Sequence, residues 1–161
     1  MSTYRREHYL AKLRPFYNDS GLIKVITGIR RCGKSSLLIT VLNELFEQGI
    51  PETNLIYLNL DRREYRNVTT PDQLDQLIEQ AMSNAYGAGL RYLFIDEVQN
   101  VKGFETVING WREEGNCSIF ITGSNSYLLS GDSLPRNLPA AISSWKCSPF
   151  PFRNTSACGI S

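Results

Sequence analysis

Residues 22–49 run from the β-branched stretch Leu22-Ile23-Lys24-Val25-Ile26-Thr27 into Gly28-Ile29-Arg30-Arg31-Cys32-Gly33-Lys34-Ser35. They then enter a segment with Leu37, Leu38, Val41, Leu42, Leu45 and Phe46 at helical spacing, which stops at Gly49. This is a strand, a glycine loop of the form G-x-x-x-x-G-K-[ST], and a helix, in the order that the loop's mechanism demands. The glycines let backbone N–H groups close around a phosphate at a helix N-terminus, where the helix dipole favours negative charge. Such a loop constrains the whole chain, because it needs a parallel strand behind it and a helix crossing back over the sheet.

The remaining pattern agrees. A second strand, Leu55 to Leu60, precedes a polar stretch from Asp61 to Asn67. Thr70-Pro71-Asp72 reads as an N-cap with proline at the first helical position, opening a helix whose apolar face is Leu74, Leu77, Ile78 and Ala81. A third strand, Tyr92 to Ile95, ends in Asp96-Glu97; a short helix follows from Phe104 to Trp111, and a fourth strand runs from Ser118 to Thr122. Ahead of all this, Arg5 to Tyr17 predicts an amphipathic helix through Tyr9, Leu10, Leu13, Phe16 and Tyr17. Continuously apolar strands separated by helices signify an α/β fold, a parallel sheet with helices on both faces.

We assign Gly28, Ile29, Arg30, Arg31, Cys32, Gly33, Lys34, Ser35 and Ser36 to phosphate binding. Lys34 reaches the β and γ phosphates of a nucleoside triphosphate, and Ser35 ligates Mg²⁺. Asp96 and Glu97 end an apolar strand at the functional edge of a parallel sheet, so Asp96 takes the metal role and Glu97 the general-base role. Only one of the pair can look at Ser35, because alternate strand residues point to opposite faces. Thr122-Gly123-Ser124-Asn125 closes the fourth strand; Thr122 or Asn125 serves as a polar sensor of the γ-phosphate or the attacking water, and turn chemistry explains the same residues equally well. Arg62, Arg63 and Arg66 read as a solvated charged turn.

Composition narrows the class further. The chain has 161 residues, the size of one domain, and 17 Lys and Arg stand against 16 Asp and Glu, so no overall field points to nucleic acid or an anionic membrane. The only histidine is His8, which disfavours His-based zinc sites and histidine-dependent triads. Cys32, Cys117, Cys147 and Cys158 form no Cys-x-x-Cys pair and read as free thiols. With no apolar run near the roughly 20 residues of a membrane span and no leader-like start, the expectation is a cytoplasmic protein. The absence of an Asn-Lys-x-Asp motif disfavours a guanine-nucleotide switch, and a phosphotransferase lacks a visible acceptor site.

GIRRCGKS, YLFIDEVQNVKGFE and CSIFITGSNSYLLSG, in this order, closely resemble the AAA-like ATP-binding proteins of bacteria and archaea, whose longer members carry a C-terminal domain resembling restriction endonucleases. The resemblance covers about Tyr9 to Gly131. It implies a RecA-like P-loop NTPase core, ATP and Mg²⁺ as ligands, a Walker B pair matching Asp96 and Glu97, and a sensor within Thr122 to Asn125. The implied function is ATP hydrolysis coupled to conformational change; the alternative is a nucleotide-binding fragment that does not hydrolyse. The resemblance leaves homo-oligomer formation open for the full-length family and assigns no DNA or protein client.

The organisation expected is an N-terminal helix over residues 1–21, the ATPase core over 22–131, and an atypical tail over 132–161. The tail departs from the family, which continues with a threonine-glycine-arginine segment, a fifth strand and a helical lid. Neither strand nor lid is recognisable here, so the chain resembles a truncated or frameshifted member. Pro135 to Ser156 can be encoded so that skipping two letters spells EELTGRYIELEMFPFSFPEYL; Trp145-Lys146 forces one glutamate of that string, since TGG AAR shifted reads GAA. The expectation is therefore a core without its fifth strand and a tail that is disordered or improvised over the exposed sheet edge.

Overall fold

The computed structural model describes residues 2–28, 33–83, 89–124 and 142–147, with side chains described from residue 7 to 27 (His8 excepted), 33 to 83 and 89 to 123. Five strands, β1 (Ile23–Gly28), β2 (Leu55–Asn59), β3 (Arg91–Asp96), β4 (Cys117–Ser124) and β5 (Ile142–Cys147), form one sheet in the order β2-β3-β4-β1-β5, and every pairing is parallel. Four α-helices accompany them: α1 (Ser2–Leu13), α2 (Lys34–Glu47), α3 (Pro71–Ser83) and α4 (Phe104–Glu114). The α/β parallel architecture is the one expected.

The strand pleat divides the core in two. Ile23, Val25, Ile56, Leu58, Leu93, Ile95, Ile119 and Ile121 pack with Leu74, Ile78 and Met82 of α3 and Phe104 and Ile108 of α4. The alternate residues Ile26, Tyr92, Phe94 and Phe120 pack with Leu10 and Leu13 of α1 and Leu37, Leu38, Val41 and Leu45 of α2. β1, β3 and β4 are buried on both sides, which is why β3 and β4 read as nearly continuous apolar runs. Phe94 and Phe120 stack across β3 and β4 with centroids 4.8 Å apart.

Local chemistry sets the element ends. Thr70 and Gln73 close a capping box at α3: Gln73 N–H donates to Thr70 Oγ1 at 3.3 Å, and Thr70 N–H donates to Gln73 Oε1 at 3.1 Å. The chain leaves α4 through Gly115 at φ 78°, a left-handed position that favours glycine. Arg14 joins α1 to α2, with its Nε and Nη2 donating to Glu44 Oε1 and Oε2 at 3.1 and 2.7 Å, and Tyr17 donates to Glu44 Oε1 at 2.9 Å.

One expectation is corrected. The sheet does not lack a fifth strand: Ile142–Cys147, within the tail expected to be disordered or improvised, pairs in parallel with β1 from Ile23↔Ile142 to Gly28↔Cys147. The physical reason is that β1 would otherwise present an open row of N–H and C=O groups, and ladder pairing draws on backbone, which Ile-Ser-Ser-Trp-Lys-Cys supplies whatever its side chains. The expectation that a lid is lacking falls on residues outside those described. Among those that are described, no helix is long and apolar enough to cross a membrane.

Candidate functional site

The site is assembled at the carboxyl ends of the strands. β1 ends at Gly28, and α2 opens at Lys34 behind Gly33, whose φ of 101° lies in the left-handed region where only glycine sits without strain. Lys34 and Ser35 thus occupy the first turn of α2, the positive end of the helix dipole. Lys34 is buried, and Ser35 and Ser36 are half-buried. Ile29, Arg30, Arg31, Cys32 and Asn125 lie outside the described residues, and Gly28 is described by backbone alone.

The pleat decides which acid faces this loop. Tyr92 and Phe94 pack on the α1 and α2 side of the sheet, so Asp96, two residues further along β3, shares that side. It is fully buried. Its carboxylate accepts two hydroxyl hydrogens, one from each neighbouring strand: Tyr57 of β2 donates to Oδ2 at 2.8 Å, and Thr122 of β4 makes a short bond to Oδ1. Burial and then the adjacent Asp96 carboxylate push the Tyr57 phenol above its ordinary pKa, against a smaller pull downward from the Arg62 charge, so it remains a donor.

Glu97 departs from the strand. With φ 60° and ψ 49° it is the one non-glycine residue at positive φ among those described, and the turn Val98–Asn100 follows it. Its N–H donates to Thr122 Oγ1 at 3.0 Å, and its Oε1 accepts from Gln99 Nε2 at 2.7 Å. Thr122, fully buried, therefore serves both acids at once.

Of the residues expected at the site, Asp96, Glu97 and Thr122 are joined by hydrogen bonds, and Lys34 and Ser35 open the helix that covers the side of the sheet to which Asp96 belongs. Sequence reasoning missed Tyr57 and Gln99. Tyr57 reads as one more aromatic in an apolar run, and the parity of β2 relative to Asp96 was the only available signal. Arg62, Arg63 and Arg66 are exposed, in keeping with a solvated turn.

The donors suit a hard divalent cation. No group of three His, Cys, Asp or Glu side chains among the described residues could hold a metal unaided. One buried carboxylate, Asp96, and one serine hydroxyl, Ser35, are donors of the hard oxygen kind that Mg²⁺ takes when substrate phosphates supply other ligands.

Comparison with known proteins gives the same picture. The family described as "AAA domain" matches residues 20–156. An uncharacterised protein of Haemophilus influenzae is 42% identical over 127 residues, 79% of this chain and 31% of that protein. An uncharacterised protein of Methanocaldococcus jannaschii is 35% identical over 108 residues, 67% of this chain and 22% of that one. The chain therefore spans less than a third of the length of either relative. Among solved structures, a DNA polymerase III gamma subunit-related protein of Thermotoga maritima superposes with a TM-score of 0.60 at 11% identity, covering 86% of this chain and 45% of its own. The Drosophila ORC, solved with AT-rich DNA and Cdc6, gives 0.56 at 15% identity, over 96% of this chain and 59% of its own. At these identities the two structures establish the fold alone.

Proposed function

Because the chain belongs to the AAA domain family, we propose that it binds ATP with Mg²⁺ at Gly28 to Ser36 and hydrolyses it, with hydrolysis coupled to conformational change. The observation that carries this reading is the placement of Lys34 and Ser35, opening α2 behind a left-handed Gly33, on the side of the sheet to which Asp96 belongs.

Each residue's task follows from its position. Backbone N–H groups at the start of α2 receive phosphate oxygens, and Lys34 places its charge on the β and γ phosphates. Ser35 and Asp96 would hold Mg²⁺, which when bound neutralises charge on the phosphate oxygens. Glu97 accepts a proton from the attacking water at its carboxylate, which Gln99 steadies through Oε1. Thr122 holds Asp96 and the Glu97 backbone at a fixed separation.

The rival is a nucleotide-binding chain without turnover. Titration with a fluorescent ATP analogue, together with phosphate release, separates the two on the purified chain. Lys34→Ala is expected to lower Mg-ATP affinity at least tenfold while leaving the fold intact. Unchanged affinity would remove the loop as a phosphate site.

A further inference from the structure

Three neighbouring strands bring a hydroxyl or carboxylate to the α2 side of the sheet near its carboxyl edge: Tyr57 of β2, Asp96 of β3 and Thr122 of β4. Asn59 pairs with Asp96 in the β2–β3 register, so Tyr57, two residues earlier, is its diagonal neighbour. Diagonal neighbours lie about 7–8 Å apart at Cα, a gap that only a long or aromatic side chain closes. The Tyr57 ring packs against the core formed with α1 and α2, which holds its phenol in place. That phenol donates to Asp96 Oδ2 at 2.8 Å.

We propose that Tyr57 is a positioning residue for the divalent cation, holding the Asp96 carboxylate of β3 from the neighbouring strand β2 in the orientation in which it serves the ion. This rests on the reading that Ser35 and Asp96 hold Mg²⁺. The Asp96 carboxylate is pinned at Oδ2 by Tyr57 and at Oδ1 by Thr122, so it cannot turn about its terminal bond without breaking a hydrogen bond to a charged group. Mg²⁺ demands near-ideal octahedral geometry and tolerates displaced donors poorly. Fixing its protein donors beforehand removes an ordering cost that would otherwise fall on binding.

Tyr57→Phe keeps the ring and deletes the tie. The full-length chain and the variant are compared by Mn²⁺ binding, read by electron paramagnetic resonance in the presence of a non-hydrolysable ATP analogue, and by binding of the same analogue in EDTA. The expected result is cation affinity weakened about tenfold, equivalent to about 1.4 kcal/mol, with nucleotide binding in EDTA and thermal unfolding near wild type. Half-maximal phosphate release should need correspondingly more Mg²⁺ and recover at saturation. Cation affinity that is unchanged or tighter overturns the proposal, as does a loss of EDTA binding by the same factor. If the wild-type chain binds no cation with the nucleotide, the assignment of Ser35 and Asp96 fails, and the role of Tyr57 fails with it. If it binds and the variant matches it, only Tyr57's role is lost.

Discussion

Lys24 lies in β1 near the end opposite the phosphate loop, wholly buried, with Nζ donating to the Asp19 carbonyl at 2.6 Å and to Ser118 Oγ at 2.7 Å. Ser118 donates its own hydrogen to the Tyr17 carbonyl at 2.7 Å, so it must accept from the lysine. Two acceptors match the two hydrogens of a neutral amine. Burial drives the Lys24 pKa down to about 7, against a smaller pull upward from Asp19 and then Cys117. In the unfolded chain the same group titrates near 10.4. Between those values the unfolded state holds the extra proton, so this contribution to stability is complete above about pH 10.4, declines as pH falls toward 7, and is flat below. One proton gives a slope of at most about 1.4 kcal/mol per pH unit, or about 1.5 kcal/mol from pH 7 to 8.5. Cys117 opposes this higher up, because burial raises its thiol to about 11 and the unfolded thiol ionises first. The clean window is therefore pH 7 to 8.5. Urea unfolding followed by circular dichroism across that window should show wild-type stability rising with pH, and Lys24→Met should lose the rise. Both forms share His8 and the chain's amino group, so their difference isolates Lys24. Parallel curves for the two proteins, or wild-type stability that falls with pH here, would refute the reasoning.

Glu97→Gln is expected to keep nucleotide affinity and lower phosphate release by roughly 10²- to 10⁴-fold, the range for loss of a general base; a variant that loses binding and keeps its rate would exchange the roles of Glu97 and Asp96. Thr122→Val removes one hydrogen-bond partner from Asp96 and one from the Glu97 N–H in a fully buried position. It should cost about 1–3 kcal/mol in denaturant unfolding and lower kcat more than it raises KM; unaltered stability would mean that solvent or a neighbour replaces the hydroxyl. Arg14→Ala, which frees α1 from Glu44 on an exposed surface, should change stability by less than about 1 kcal/mol and leave nucleotide binding unaltered.

What the sequence showed and what it hid divide along one physical line. The glycine loop between β1 and α2 is legible because its pattern reports local backbone conformation, which Gly33 illustrates with its positive φ. Asp96 is legible because an acid ending an apolar run marks a strand's carboxyl end, and Tyr92 and Phe94 fix its face by parity alone. Tyr57 and Lys24 are not, because each acts across the sheet: Tyr57 through the β2–β3 register, Lys24 through Ser118 of β4. Register between distant segments has no local signature. The same holds for β5, which the loss of any sustained period after about Asp132 hides from the sequence; an edge position asks for a ladder more than for an apolar pattern.

The fold also explains why Glu97, the proposed general base, does not continue the strand. α2 lies over one face of the sheet, α3 and α4 over the other, as right-handed crossovers require when the chain runs first to the β2 edge and then back through β3 to β4. Strand parity gives the α2 face to Asp96 and would send the next residue toward α3 and α4. Glu97 instead takes the left-handed conformation, leaves the ladder, and anchors its N–H on Thr122. That conformation costs a non-glycine residue on the order of 1 kcal/mol. Glycine would adopt it freely, yet the chain carries a glutamate whose carboxylate is held by Gln99. A strained non-glycine position beside a buried carboxylate at the carboxyl edge of the sheet supports the proposal that Glu97 serves turnover, and loss of phosphate release with binding intact in Glu97→Gln would bear it out.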